Sequence, residues 1–352
     1  VCSVSNNTAV GYECLKASTT GTDNTAVGAN SLDASTTGSN NVAIGKSALG
    51  AATTSSANTV VGSAAGDAIT EGDGNAIVGY GAATTLTTGS NNVAVGRLAL
   101  RYNQTGDSNV AIGNDAVKQM TGSNNIGIGY QAMNGGTSNP TGEKNIAIGS
   151  TALHDVTTGG SNIAIGDSAL DDNHTGTGNI GIGTNSLTKT ESDYNTAVGF
   201  GTAGDLVSGD NNTFIGYRAG NYASPGYTTT QSNRIVLGDN DITNAFIKVA
   251  FTVTSDQRDK IEDGAVSHGL DFVNKLIPKS FYFKKERDSN EKHGDKRYGF
   301  FAQDILALEG SDNVIIDNSN PDSLGFKADQ LIPVLVNAIK ELSAKVTALE
   351  AG

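Results

Sequence analysis

Ser255 and Lys260 are the two side chains whose types and spacing could do covalent chemistry. They lie in Thr254-Ser255-Asp256-Gln257-Arg258-Asp259-Lys260. A hydroxyl with an amine five residues on can form a Ser/Lys dyad, the hydroxyl as nucleophile and the amine as general base. The lysine must first shed its proton. Burial or a positive neighbour favours that, and Arg258 is the candidate neighbour. Spacing alone does not raise this above an ordinary exposed, charged loop, which is the better reading until more of the chain is considered.

Other chemistry finds less support. His154, His174, His268 and His293 have no ligand spacing, so no metal site is expected, and no cofactor motif is read. Polysaccharide hydrolysis needs two carboxylates positioned across a cleft. The acidic residues here are scattered through turns with no recurring pair. Cys2 and Cys14 lie close together at one end. Cys14 takes the place of Ser31 and Ala48 in neighbouring repeats, so a free thiol among small core residues is expected, not a disulfide.

The element that must position everything else is a repeat. Asn41-Val42-Ala43-Ile44-Gly45 recurs, with variation, to about residue 240. Its closing Gly falls at 11, 28, 45, 62, 79, 96, 113, 129, 149, 166, 183, 199, 216 and, displaced by one place, 238. Most intervals are 17 residues, with 16, 20 and 22 as exceptions. A period this short signals one small unit stacked on itself.

The place before the Gly is Val or Ile thirteen times running, from Val10 to Ile215, which fits a short strand with one face always buried. The residue between the two branched places is Ala or Gly in most units, a face small enough for a neighbouring sheet to approach closely. A second apolar residue follows the Gly by four places (Leu15, Leu32, Leu49, Leu100), predicting a second short strand. Ser, Thr, Asn and Gly fill the turns. Asn opens each unit, from Asn7 to Asn233, and reads as a structural ladder whose amides satisfy backbone groups at each turn.

Each coil would rise by about 4.8 Å, giving a stack of roughly 65 Å. A coil this thin buries little, so several chains are expected to associate through the Ala-rich face. The period breaks in two longer loops, 133–145 and 217–233, the second with Tyr222, Pro225 and Tyr227. Such insertions can contact partners, but tolerated length variation is the simpler reading.

Composition sets limits. The chain has 352 residues, 45 Gly, no Trp and a formal charge of −13. That charge argues against nucleic acid or an anionic membrane as partner. Residues 1–250 hold 10 of the 23 basic residues and the last 102 hold 13, which marks a boundary near 250. No apolar run is long enough to span a membrane, and no signal peptide is read. The chain begins at Val1, already in mid-pattern, which reads as a fragment lacking an anchoring N-terminus. Three parts are expected: a repeat stalk at 1–225, a closing strand and connector at 226–254, and a C-terminal domain at 255–352. A short strand is expected at Phe246–Phe251. Ile332, Leu335, Ile339, Leu342, Val346 and Leu349 are spaced 3, 4, 3, 4, 3, a coiled-coil seam on a last helix, with Pro333 in its first turn or kinking it.

Two resemblances bear on this. The repeats resemble the Asn-Ser-Val-Ala-Ile-Gly units in the heads of trimeric bacterial adhesins, over about residues 5–220. That resemblance implies a left-handed parallel β-roll, three chains to a stalk. Residues 255–352 resemble the intramolecular chaperone domain of phage tail fibres and endosialidase tailspikes, the self-cleaving peptidase S74 family. The match runs through Ser255 to Lys260, a helix-like Gly269–Pro278, a strand-like Ser280–Lys284, and Tyr298-Gly299-Phe300-Phe301-Ala302-Gln303 near the family's Gly-φ-φ-Ala-Gln signature, where φ is apolar. It ends in Asp329–Leu342.

The fold this implies is mainly β, a trimeric solenoid of 17-residue coils followed by a small α+β chaperone domain ending in a coiled-coil helix. Ser255 would attack the Thr254–Ser255 bond with Lys260 as base, supported by Asp256, Arg258 and Arg297. Arg297 stands where relatives often carry a His. The implied function is a virion tail fibre for host attachment, assembled in the host cytoplasm and acting outside the cell. Its partners would be two further copies, other tail proteins through a preceding N-terminal part, and a host receptor, a glycan or outer-membrane component. A bacterial surface adhesin and a polysaccharide-degrading tailspike are the alternatives. Parallel stacking of three chains is slow and leaves strand edges open. A C-terminal trimeriser would raise local concentration and set register. Removing it afterwards would make unfolding kinetically irreversible.

Overall fold

The computed structural model describes residues 6–136, 140–221, 229–248, 255–285, 287–311, 313–319, 321 and 324–352. Cys2, Tyr222, Pro225, Tyr227, Val249 to Phe251 and Thr254 lie outside them. The chain divides into two compact units, Val1–Asp239 and Asn240–Gly352.

The first unit is a parallel β-solenoid. Fourteen three-residue strands, β1 (Thr8–Val10) through β14 (Ile235–Leu237), form one sheet in chain order among the described residues. Equivalent residues pair from coil to coil, as in Val42↔Thr59, Ala43↔Val60 and Ile44↔Val61. The stack thus runs into the segment read as closing strand and connector.

The faces of the strand are the reverse of those expected. The small middle residue points inward: Ala26, Ala43, Ala94 and Ala111 are fully buried. The Val/Ile place points outward, 36–40% exposed at Ile44, Val95, Ile112, Ile148, Ile165, Ile182 and Val198. The Ala-rich face is therefore the inside of the coil and is not available to a second chain. The cause is width. One coil has room for a single layer of side chains, and the opposite wall fills it. Volumes at the two walls compensate: a Cβ at Gly127 would run into the Val117 side chain, and one at Gly66 would meet Ile69 at 3.0 Å, Ile77 at 3.4 Å and Val60 at 3.6 Å. Where the middle residue is Phe214, the opposite place is Gly220, and a Cβ there would run into the Phe214 ring. Close packing of this kind makes each methylene count.

The second apolar place is not a strand. Leu15, Leu32, Leu49, Leu100, Leu153, Leu170 and Leu187 all have φ of 50–55°. This left-handed conformation costs roughly 1–2 kcal/mol per residue. Burying the leucine returns about 1.5–3 kcal/mol, and the backbone N–H still bonds to the next coil, as from Leu49 to Ala65 at 3.0 Å.

The Asn ladder is present. Asn41 donates through Nδ2 to the Ser55 carbonyl at 2.8 Å, and its Oδ1 accepts from the Asn58 N–H at 3.0 Å. The pattern repeats on buried amides up to Asn212, whose Oδ1 accepts from the N–H of Arg234. Arg234, not Asn233, holds the last ladder place. Asn233 lies one residue earlier in a left-handed turn, bonded to Asn211. Ile235–Leu237 is accordingly in register with Thr213–Ile215, and Gly238 is not displaced relative to Gly216.

Asp171 lies on the turn side of the stack. Burial pushes its carboxyl up to about 6, opposed by nearby His154. A carboxyl raised in the folded state binds its proton more tightly folded than unfolded, so its stabilising effect is present at low pH and is lost as pH rises through about 6. Asp171→Asn is therefore expected to raise the melting temperature at pH 7.5 and change it little at pH 4. Thermal melts at the two pH values check this, and an equal shift at both would refute it.

The second unit has its own small core of Phe272, Ile305, Ile315, Ile316, Leu331 and Val334. Helix α1 (Leu270–Lys275) is shorter than the stretch read as helix, because Leu276 is already extended ahead of Pro278. Strands β15 (Lys279–Lys284) and β16 (Lys292–Gly299) form an antiparallel hairpin. Then come α2 (Ala302–Glu309), the pair β17 (Ile316–Asp317) and β18 (Gly325–Phe326), and α3 (Leu331–Glu350). Phe246 to Lys248 do not form the expected strand, and the rest of that stretch lies outside the described residues.

Helix α3 has two apolar faces. Leu331, Val334 and Ala338 are buried. Asn337 donates to the His268 carbonyl at 2.9 Å, and Glu341 accepts from the Leu270 N–H at 2.9 Å, which caps α1. The seam residues Ile332, Leu335, Ile339, Leu342, Val346 and Leu349 face outward, 38–81% exposed. Pro333 lies in the first turn, where its missing N–H has no helical partner to lose.

Candidate functional site

The residues around Ser255 fold locally. Gln257–Asp259 is one turn of 3-10 helix with Asp256 at its N-cap, the carboxylate accepting from the Arg258 N–H at 2.9 Å. Asp259 N–H bonds to the Asp256 carbonyl and Lys260 N–H to that of Gln257, both at 3.2 Å. The turn folds the chain back so that residues five apart meet. Lys260 Nζ lies 2.5 Å from Ser255 Oγ.

Asp256 also takes the Arg258 side chain, with Nη2 to Oδ2 at 2.6 Å and Nε to Oδ1 at 3.1 Å. This contact holds the Asp256 carboxyl below the usual range and raises Arg258. Arg258 is therefore engaged by a carboxylate. As a neighbour for Lys260, the pair Asp256–Arg258 presents a neutralised charge. Residues 255–260 are exposed in the single chain.

Arg297 makes its contacts elsewhere. Its Nη2 donates to the Thr243 carbonyl at 2.8 Å, and its guanidinium lies 5.4 Å from the centre of the Phe283 ring. Of the sequence-derived residues, the fold thus brings Ser255 with Lys260 and Asp256 with Arg258. Thr254 lies outside the described residues.

A hydroxyl against an amine is the pairing of groups that a Ser/Lys dyad requires. Residues 255–315 match the chaperone of endosialidase family, peptidase S74. The match starts at Ser255 and covers α1, the β15–β16 hairpin and α2. No curated protein and no solved structure matches the chain. The protein thus carries an endosialidase-type chaperone domain behind a 17-residue-period β-solenoid. Among the described residues, no group of three or more His, Cys, Asp or Glu side chains is placed to hold a metal ion, and no helix is long and apolar enough to cross a membrane.

One feature of the chaperone domain escaped sequence reasoning. Glu309, at the end of α2, is 5% exposed, and its carboxylate accepts three backbone N–H groups, from Val314 at 3.0 Å, Ile315 at 2.5 Å and Ile316 at 3.0 Å. The signal available was an acidic residue closing an apolar helix just before Gly310 and a second apolar run.

Proposed function

We propose that this chain is the distal part of a phage tail fibre or tailspike, an attachment protein that trimerises through its C-terminal domain and then cuts that domain off. The observation that carries the reading is the Ser255–Lys260 contact at the head of the matched family segment. Assembly is supported by two unpartnered apolar surfaces, the Val/Ile ladder along the solenoid and the seam of α3. Each is linear, a form that copies arranged around a threefold axis would cover. Other tail proteins and a host-surface glycan or outer-membrane component are the further partners of this reading.

In the reaction, Ser255 Oγ forms a bond to the Thr254 carbonyl carbon while Lys260 Nζ takes the hydroxyl proton. The Thr254–Ser255 C–N bond breaks, its nitrogen takes that proton, and an ester joins Thr254 to Ser255 Oγ. Water hydrolyses the ester, leaving a carboxylate on Thr254 and a free amine on Ser255. Packing of three copies around the dyad would bury it and favour the neutral amine, which couples cutting to assembly.

Intact mass and light scattering of the purified chain test this together. Two fragments divided between Thr254 and Ser255 in a threefold assembly are expected, with Ser255→Ala giving an uncut trimer. A cut that persists in Ser255→Ala, or an uncut wild-type trimer, refutes self-cleavage. A monomer refutes the attachment fibre.

A further inference from the structure

The cut proposed above divides the chain after Thr254, but the contacts do not divide there. Asn240 to Lys248 would leave with the solenoid, yet they group with the C-terminal unit. Within that stretch Thr243 is half-buried, whereas Ile242 and Asn244 to Lys248 are exposed. It lies against β16. The guanidinium of Arg297 donates to the Thr243 carbonyl at 2.8 Å. Gly294, at φ 69°, lies beside the Thr243 methyl, which stands 3.6 Å from where a Cβ would be. Arg297 is itself braced over Phe283 on the partner strand, opposite the break in pairing between Phe281 and Phe283.

We infer that Arg297 is a latch that keeps the solenoid product seated on the released chaperone domain, binding a backbone carbonyl of the connector. The partner it fits is the extended connector of this same chain. A carbonyl acceptor makes the contact indifferent to the connector's side chains, and a charged donor makes it stronger than a neutral hydrogen bond. In a threefold assembly three such latches act together, so one opening does not release the domain. Cutting and release then become separate events. Among the described residues, Arg297 contacts Thr243 and Phe283 and neither Ser255 nor Lys260, so it is a positioning residue.

This rests on the proposed function, but its test does not need self-cleavage. The full chain carries Ser255→Ala and a recognition site for a sequence-specific protease in place of residues 249–254. After cutting, the two pieces are followed by size-exclusion chromatography over time. The parent pieces are expected to co-elute. Arg297→Ala should separate about tenfold faster per latch, the change that ~1.4 kcal/mol makes. Arg297→Lys, which keeps a charge over Phe283 and loses the planar fork, should fall between them. Circular dichroism guards against loss of the hairpin, and the Lys variant reads the latch if the Ala variant unfolds. Immediate separation of the parent pieces, or equal half-times in all three chains, overturns the proposal. Failure of the wild-type chain to cut itself would leave this result standing.

Discussion

Replacing Asn75 with leucine is expected to cost the solenoid about 4 kcal/mol, although the two side chains are nearly the same size. The cost is that of the polar groups left behind. Asn75 is buried, its Oδ1 accepts from the Asn92 N–H at 2.9 Å, and its Nδ2 donates to the Gly89 carbonyl at 3.0 Å. Leucine leaves both backbone groups in a dry interior, and each such loss costs about 1–3 kcal/mol. The neighbouring rungs cannot close the gap, because the coil spacing is fixed. A Cβ at Gly79 would already press on the Gly96 carbonyl of the next coil. Asn91 is the control. It sits exposed at φ 59°, one residue before the ladder. Asn91→Leu meets only the left-handed strain of roughly 1–2 kcal/mol. Urea unfolding of the full chain compares the two variants. Equal midpoints would mean that the ladder does not hold the stack.

The repeat was legible because every coil meets the same neighbours. A sequence must repeat when its environment repeats, and the Asn, the branched residue and the Gly each answer a fixed demand of the stack. Which way the strand faces was not legible from the same pattern. Ile44 and Ala43 both suit a buried site, and the usual expectation puts the larger residue inside. That fails where the interior is one layer wide, and the clue lay in the compensating pairs Val60 with Gly66 and Phe214 with Gly220. The left-handed leucines were hidden for a related reason: Leu49 carries no turn signal of its own, and its φ of 54° is imposed by the coil around it. Arg234 was missed because Asn233 imitates the ladder residue one place too early. In the second unit, the Ser255–Lys260 approach could be anticipated, since a single turn lies between them. The contacts of Arg297 with Thr243 and of Glu309 with Val314 to Ile316 depend on how distant or irregular segments settle, which no local period encodes.

Glu309→Ala is expected to unfold the C-terminal unit at temperatures where the wild type is folded. Three backbone N–H groups at Val314, Ile315 and Ile316 lose their acceptor, and Ile315 and Ile316 belong to the core. Even with water reaching one of them, the loss is about 4 kcal/mol or more. A domain this small has a total stability of only ~5–10 kcal/mol. Glu309→Gln keeps one acceptor oxygen, so about half that loss is expected. Near-ultraviolet circular dichroism and limited proteolysis of residues 255–352 within the full chain read the effect, and a wild-type melt for Glu309→Ala would refute it. The variant also separates the two halves of the assembly argument. The solenoid keeps every one of its own contacts in Glu309→Ala, so a failure of that chain to reach the threefold state assigns trimer formation to the C-terminal unit. If it trimerises normally with residues 255–352 unfolded, the Val/Ile ladder assembles the fibre without help, and the chaperone domain has some other task.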